Sequence, residues 1–455
     1  MIRIKGGAQP ACDQQGMWPY HPALLERPVP RYTSYPTAAE FRADVGTPAF
    51  VEALDAIPAR APLSLYIHIP YCHEICSYCG CNTGRANRSH RLAAYLEALG
   101  AEIDMVAGHL SGRGVVSRIA FGGGSPNAIA PLDFVRLVGR LTTRFRASAP
   151  VISVEIDPRT LDRSWLATLR TVGVQRVSLG VQTFDDALQH AIGRPQPDSM
   201  IARAVDGFRD AGVASINFDL MYGLPGQTIT DIEHSAARSV ELGADRVALF
   251  GYAHLPTMFP RQRRIDATAL PDAALRFRQA ATGHDLFVSA GYVPVGFDHF
   301  ARPGDALAIA ARTGTLRRNF QGFTDDGSRH LIGFGASAIS EFPTLLVQNE
   351  KNAGPYREAI VAGRLPVARG IGRDRHEIAR ARVIEQLLCA GRARADRQLL
   401  QAARPALDIF AQQNLVHIEE DRIELAAEAL PYARSIAACF DGHRPLGEKR
   451  FSNAI

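Results

Sequence analysis

The stretch Tyr66-Ile-His-Ile-Pro-Tyr-Cys-His-Glu-Ile-Cys-Ser-Tyr-Cys-Gly-Cys81 runs out of an apolar segment, Leu63–Ile69, into four cysteines spaced Cys-x3-Cys-x2-Cys-x-Cys. Thiolates are the ligands that iron–sulfur clusters use. A short loop with these gaps can wrap three corners of a cubane and leave the fourth iron open to a small chelating ligand. A structural zinc site would instead pair two Cys/His knuckles far apart in sequence. The other cysteines, Cys12, Cys389 and Cys439, are isolated, so no second knuckle is visible. Seven cysteines with four so close together also make a poor disulfide framework for 455 residues.

Outward from this loop the chain alternates. Short apolar runs at Leu63–Ile69, Val116–Phe121, Val151–Ile156, Arg176–Val181, Ser215–Leu220 and Arg246–Phe250 read as strands. Helical periodicity fills the gaps at Arg91–Leu110, Leu132–Phe145, Ser164–Val172, Met200–Ala211 and Asp231–Leu242. Gly173, Gly212 and Gly243 follow three of these helices, where a left-handed cap is expected. Strands alternating with helices argue for parallel βα units and an α/β fold. Six units fit a partial, three-quarter (βα)6 barrel better than a closed eightfold one. Residues 1–60 read as an irregular N-terminal arm, 61–369 as the barrel with accessory strands near Gly291–Gly296 and His330–Ile339, and 370–455 as a small, mainly helical C-terminal domain. That last domain carries a hairpin at Leu415–Leu425 and has a winged-helix-like outline, which would not by itself imply DNA binding.

Parallel α/β barrels gather their active sites at the C-terminal ends of the strands. Those ends carry Gly122-Gly123-Gly124-Ser125-Pro126, Glu155 and Asp157, Gln182, Asp219 and Tyr222, and Tyr252 and His254. A glycine run alone is often only a turn. Polar groups at successive strand ends beside a cysteine loop converge on a site. The formal charge is +5, too mild and too dispersed for a nucleic-acid footprint. Arginine clusters such as Arg261, Arg263 and Arg264 read as solvated surface or as contacts for an acidic small molecule. No apolar run approaches the ~18 residues needed to span a bilayer, and the polar start, Met1–Gly16, lacks the apolar core of a secretory signal. The expectation is a cytoplasmic, monomeric protein without a membrane span or a nucleic-acid partner.

The cysteine spacing after the first strand resembles the signature of the radical S-adenosylmethionine (SAM) superfamily. The resemblance narrows to the oxygen-independent coproporphyrinogen III oxidases, the HemN type, over about residue 20 to the C-terminus. It rests on Arg31-Tyr-Thr-Ser-Tyr-Pro-Thr37, Cys79-Gly-Cys-Asn82, Gly180-Val-Gln182, Asp219-Leu-Met-Tyr-Gly-Leu-Pro225 and Tyr252-Ala-His-Leu-Pro-Thr257, then Asp298-His-Phe-Ala-Arg-Pro303, Arg318-Asn-Phe-Gln-Gly322 and Ser337-Ala-Ile-Ser340. Tyr78 and Ser125 stand where that family commonly has Phe and Thr, and the segment before Arg31 lacks the usual Tyr-Asn and Gly.

The resemblance implies a radical SAM barrel and one [4Fe–4S] cluster on Cys72, Cys76 and Cys79. It implies two molecules of SAM: the first among Tyr66, Tyr78, Gly123, Glu155 and Ile339, the second among Gly124, Ser125, Gln182, Arg194, Asp219 and Ala253. Phe320 and Gln321 would lie on the substrate side, and Cys81, not needed as a ligand, near the substrate or second SAM. The implied reaction turns two propionates of coproporphyrinogen III into vinyl groups in heme biosynthesis, through a SAM-derived 5′-deoxyadenosyl radical. It implies a flavodoxin- or ferredoxin-like electron donor and an electron acceptor. Arg31, Arg302 and Arg318, with Arg302 foremost, are candidates for holding substrate carboxylates in forked pairs. The arm, rich in aromatic residues, is expected to cover the open side of the barrel. A heme chaperone and a heme-modifying relative are the alternatives. The chaperones usually lack the fourth cysteine and the Arg31–Thr37 motif.

Overall fold

The structure is a computed structural model and describes residues 18–443; Met1–Gly16, with Cys12, lies outside the described residues. The six apolar runs form the strands β1 (Pro62–Ile69), β2 (Val115–Gly123), β3 (Val151–Ile156), β4 (Arg176–Gln182), β5 (Ser215–Tyr222) and β6 (Arg246–Gly251). They pair in parallel in chain order. Every residue of β1 after Pro62 is buried, which is why it reads as a continuous apolar run rather than an alternation. The crossovers are the helices α1 (Ser89–Leu110), α2 (Pro131–Arg144), α3 (Arg163–Val172), α4 (Asp198–Asp210) and α5 (Ile229–Glu241). Their starts are chemically marked. Asp162 accepts from the Trp165 N–H, and Thr228 and Asp231 form a reciprocal capping box at α5.

The sheet is wider than six strands. After α6 (Ala273–Ser289), β7 (Val293–Val295) and β8 (His299–Ala301) run antiparallel beyond β6. At the other edge β9 (His330–Phe334) joins β1 in parallel, followed by antiparallel β10 (Ile339–Phe342), β11 (Leu345–Asn349) and β12 (Val367–Gly372). The result is a 12-stranded sheet in the order β12-β11-β10-β9-β1-β2-β3-β4-β5-β6-β8-β7. The single strand expected over His330–Ile339 is two, because Gly335 (φ 96°) and Ser337 (φ 66°) turn the chain between them.

The direction of β8 moves one expected site residue. Because β8 runs against β6, the chain from Asp298 to Arg302 travels toward the N-terminal ends of the strands. Arg302 therefore donates from Nε to the Ala244 carbonyl, 3.1 Å away, before β6 begins. It sits at the opposite end of the barrel from the strand-end rim.

The C-terminal region is built from α7 (Arg375–Ala390), a strand at Arg392–Arg394, α8 (Arg397–Ala411) and the expected hairpin, Val416–Glu419 with Arg422–Leu425. This is a winged-helix order of elements. The arm packs mainly here. Trp18, Leu25, Val29, Tyr32 and Tyr35 share one apolar cluster with Leu387, Leu407, Tyr432 and Phe440. The aromatic faces of the arm thus cover the C-terminal domain and α6, with Trp18 and Tyr20 against Phe277, while Arg31 donates to the Gly251 carbonyl at the end of β6. Farther along, Phe50, Leu54 and Ile57 pack into the main core.

Beneath the β1 rim lies a buried carboxylate. Glu102 on α1 is 2% exposed. It accepts from the Gly335 N–H (2.7 Å), the Asn349 amide (2.6 Å) and the Tyr356 hydroxyl (2.6 Å). Tyr95 OH adds a bond to the His68 carbonyl at 2.7 Å. Together they pin the β9–β10 turn against β1. Burial pushes Glu102 up to about 7, with its three donors opposing. The folded chain therefore keeps this proton at pH values where the unfolded chain has lost it. Its contribution is complete below the ordinary glutamate value near 4.5 and is lost as pH rises to about 7. Urea unfolding should show wild type losing stability between pH 4.5 and 8, and Glu102→Gln should remove that part of the slope. At pH 5 the variant should be weaker by about 1–3 kcal/mol, since an amide N–H would then face Asn349 or another of the donors.

Candidate functional site

The loop after β1 delivers its thiols to the strand-end rim. Cys72, Cys76, Cys79 and Cys81 line one cavity of about 580 Å³. The same cavity is lined by Tyr78, Gly123, Gly124, Ser125, Glu155, Gln182, Arg194, Asp219 and Ala253. Tyr66, Phe320, Gln321 and Ile339 are not among its walls. Tyr66 points inward from β1, with its OH 3.1 Å from His68 Nδ1 and its ring edge-on to Phe320 at 4.7 Å. Gln321 is exposed in the turn of a small hairpin, and the Ile339 side chain packs toward Phe41, Leu346 and Ile371.

The glycine run is needed for reasons internal to the protein. A Cβ on Gly122 would lie 2.6 Å from the Glu155 carboxylate, and one on Gly123 would lie 2.6 Å from the His68 ring. One on Gly124 would lie 2.6 Å from the Tyr71 carbonyl. The Gly123 N–H donates to Glu155 at 3.2 Å, and the Ser125 N–H to the Tyr71 carbonyl at 2.8 Å. The backbone of β2 thus passes between β1, the cysteine loop and β3 with no room for side chains.

Charge is arranged around one sulfur. Arg194 is 7% exposed. It donates to the Gly180 carbonyl (2.7 Å) and to Cys76 Sγ (3.3 Å) and pairs with Asp157 (3.5 Å). Arg159 pairs with Asp157 at 2.6 Å, with Glu74 at 3.0 Å, and reaches Cys76 Sγ at 3.5 Å. Burial opposes ionisation of Asp157, but Arg194 and Arg159 hold its carboxyl below the usual range. The Cys81 N–H donates to Cys79 Sγ at 3.3 Å. Hydrogen bonding with Cys81 lowers the Cys79 thiol and raises that of Cys81.

Opposite the cysteines stand two carboxylates. Asp219 accepts from Ser178 (3.0 Å) and Asn217 (2.8 Å), and burial raises it against those bonds. Glu155 exposes its surface into the cavity, yet it is enclosed by the surrounding walls. That desolvation, followed by the Asp219 charge, raises it to about 7. Gln182 closes β4 at a bulge with φ 68°, a turn that re-aims its side chain at a strained position.

Three contributors escaped the sequence reading. Arg159 follows Asp157-Pro in a stretch the sequence analysis left unassigned. Gln262, 2% exposed, donates to both the Tyr78 carbonyl (2.8 Å) and the Ala253 carbonyl (3.1 Å), so it ties the cysteine loop to the segment after β6. His68 lies inside the quoted stretch but gave no signal of its contact with Gly123.

The donor set fits an iron–sulfur cluster. Four thiols stand around a cavity, guanidinium and amide donors point at two of the sulfurs, and the neighbouring glycine backbone leaves space. Among the described residues no three Cys, His, Asp or Glu side chains converge tightly enough for a single metal ion.

Residues 66–238 match the family model for the radical SAM superfamily. The chain is 41% identical over 440 residues to the oxygen-independent coproporphyrinogen III oxidase of Bradyrhizobium diazoefficiens, covering 94% of this chain and 98% of that protein. It is 39% identical to the enzyme of that name from Escherichia coli K12, covering 90% and 92%. The solved structure of Escherichia coli coproporphyrinogen III oxidase (HemN), described as a radical SAM enzyme, superposes with a TM-score of 0.88 at 37% identity, over 94% of this chain and 100% of that one.

Two glycines separate strain from crowding. Gly226 has φ 75° with open space around it, whereas Gly123 has φ 114° with the His68 ring in the way. Gly226→Ala should cost about 1 kcal/mol, the penalty of a left-handed backbone. Gly123→Ala should cost about 1–3 kcal/mol more, read by urea unfolding of both variants.

Proposed function

The chain belongs to the oxygen-independent coproporphyrinogen III oxidases of the radical SAM superfamily, and we propose that its cavity is where two propionates of coproporphyrinogen III become the vinyl groups of protoporphyrinogen IX. The observation that carries this reading is that four thiols, a glycine run and two strand-end carboxylates line one cavity. Each conversion takes from the side chain a hydrogen atom, carbon dioxide and one electron. The hydrogen on the propionate β-carbon is too weak an acid for any carboxylate or thiolate here, so side-chain proton abstraction does not serve. When bound, a [4Fe–4S] cluster with SAM supplies a carbon radical able to take that hydrogen atom.

The protein's part is holding and shielding. Cys72, Cys76 and Cys79 would carry the cluster, with Arg194 and Arg159 stabilising the thiolate of Cys76. Tyr78, Gly123 and Glu155 would meet the first SAM. Gly124, Ser125, Gln182, Asp219 and Ala253 would meet a second, with Asp219 and Glu155 supplying carboxylates for hydroxyl or ammonium groups. Arg194, assigned to the second SAM by resemblance, lines the cavity and also reaches Cys76 and Asp157, so it would join the second SAM site to the cluster side. Tyr66 acts through His68, and Phe320 backs Tyr66. Cys81, exposed into the cavity, is left for the substrate. A flavodoxin- or ferredoxin-like donor and an electron acceptor complete the electron balance. No helix among the described residues is long and apolar enough to cross a membrane.

An anaerobic assay with iron, sulfide, SAM, reductant and coproporphyrinogen III, read by product mass, tests the reading directly; absence of the divinyl product in a fully loaded chain overturns it. Alanine at Cys72, Cys76 or Cys79 should abolish the visible absorbance and the product together. Cys81→Ser should keep the iron and sulfide content and lose the product.

The second SAM has its own measurement. Asp219→Ala should lower the SAM bound per chain in equilibrium dialysis while iron content stays at the wild-type value. An unchanged stoichiometry removes Asp219 from that site.

A further inference from the structure

The cysteine loop has an outer side as well as the side that lines the cavity. Its tail, Asn82–Arg91, folds back over the first of the thiols. Cys72 and Arg85 are partners in a short parallel bridge, the Ala86 N–H donates to the Cys72 carbonyl at 2.9 Å, and Thr83 Oγ1 lies 3.2 Å from Cys72 Sγ. The backbone that carries Arg85 is therefore the layer next to Cys72.

That layer is basic. Arg85, Arg88, His90 and Arg91 are all exposed, and so is Lys351, whose carbonyl accepts from the Asn82 amide at 2.6 Å. From Asn82 to Leu96 there is no acidic residue, whereas an ordinary solvated surface mixes both signs. Among the described residues none of these three arginines enters an ion pair. The stretch also runs against its own helix. Arg88 is the N-cap of α1 and makes no side-chain cap bond, and the first turn holds no acid. A helix start favours a capping oxygen and negative charge, so local stability is given up here, as it is at functional sites.

The other basic stretch beside the loop fronts the cavity. A Cβ on Gly80 would lie 3.4 Å from the Phe259 ring, and Phe259 and Gln262 line the cavity, with exposed Arg263 and Arg264 following. A protein seated there would crowd the space of the substrate. Arg85, Arg88 and Arg91 are not in the cavity walls.

We propose that the Arg85–Arg88–Arg91 face is the docking surface for an acidic protein that carries single electrons to the cluster. This rests on the cluster and coproporphyrinogen reading above. Electron transfer falls steeply with distance, so the carrier must seat within a thin layer of a ligand thiol, and this face provides that at Cys72. Its positive charge steers an acidic partner in, and a brief, small, salt-sensitive contact suffices. From a flavin carrier one electron leaves the hydroquinone anion, which becomes the neutral semiquinone, and the cluster gains that electron; no bond forms or breaks.

The test uses the full chain loaded with iron and sulfide and two purified acidic carriers, a flavodoxin and a ferredoxin. Titration gives a dissociation constant, and stopped-flow absorbance follows oxidation of the reduced carrier. Wild type should bind at least one of them, and several-fold more weakly at about 300 mM salt than at about 50 mM. The Arg85→Glu/Arg88→Glu/Arg91→Glu variant should weaken binding and slow the transfer about tenfold or more. Its iron content, its SAM stoichiometry and its reduction by photoreduced deazariboflavin, a small uncharged reductant, should match wild type. Lysine at the same three positions should restore binding. If the triple variant loads no cluster, Arg88→Glu/Arg91→Glu, which leaves Arg85 beside Cys72, is read in its place. Arg263→Glu/Arg264→Glu should bind within about twofold of wild type. Binding of neither carrier, charge-reversed variants that bind like wild type, a loss that lysine does not restore, or an equal loss from Arg263→Glu/Arg264→Glu overturns the surface. Wild type that makes no divinyl product with deazariboflavin as reductant overturns the coproporphyrinogen reading instead, since that assay needs no carrier.

Discussion

Three consecutive residues without side chains, Gly122–Gly124, set the spacing on which the rim depends. The Glu155 carboxylate, the His68 ring and the Tyr71 carbonyl each occupy space that a β-carbon there would claim. Parallel strands bring their C-terminal ends to one side, but that alone does not bring a loop after β1 into contact with a carboxylate on β3 across β2. The bare backbone of β2 does. It lets β1, the cysteine loop and β3 close over it, with the Gly123 N–H turned to Glu155 and the Ser125 N–H just beyond the run turned to the Tyr71 carbonyl, so burial leaves these groups bonded. The Glu102 network supports the same corner from below, where it pins the β9–β10 turn behind His68.

Much of this was legible in the sequence, because the core strands are buried on both faces and stand out as apolar runs. Val151–Ile156 has the same limits in both readings, and the Leu63–Ile69 run gains one residue at its start. The meeting of the four thiols and the strand-end carboxylates at one rim also followed from position alone. The parallel pairing of β9 with β1 did not, since it joins segments separated by the whole barrel and leaves no local pattern. Arg302 was misplaced because a motif says nothing about direction: β8 runs antiparallel and carries that arginine to the wrong end. Arg159 and Gln262 sit in polar loops where nothing separates a buried brace from a solvated side chain. The tyrosines of the arm announced that a surface was needed, but not which one.

The electrostatics divide the site into two halves. On the cysteine side, arginines are paired with Asp157 and aimed at sulfur, so positive charge is matched within the protein. On the arm side the arginines are tied to backbone instead, Arg31 donating to the Gly251 carbonyl and Arg276 to the Tyr252 carbonyl.

The arm closes the chain on itself. Tyr32 OH donates to Asp441 across 409 positions, and the Gly442 N–H donates to Tyr35 OH across 407. Contacts of such sequence separation form late, after the local units they join. During translation β1 through β9 can leave the ribosome and pair well before Asp441 and Gly442 are made. Arg31 sits beside Tyr32, so the stretch that carries it to Gly251 gains its hold on Asp441 and Gly442 only after those residues are made. A nascent or C-terminally clipped protein would hold the thiols of Cys72, Cys76 and Cys79 on a formed barrel while the arginine at the mouth was still unanchored, so assembly of the iron–sulfur half can precede completion of the substrate half.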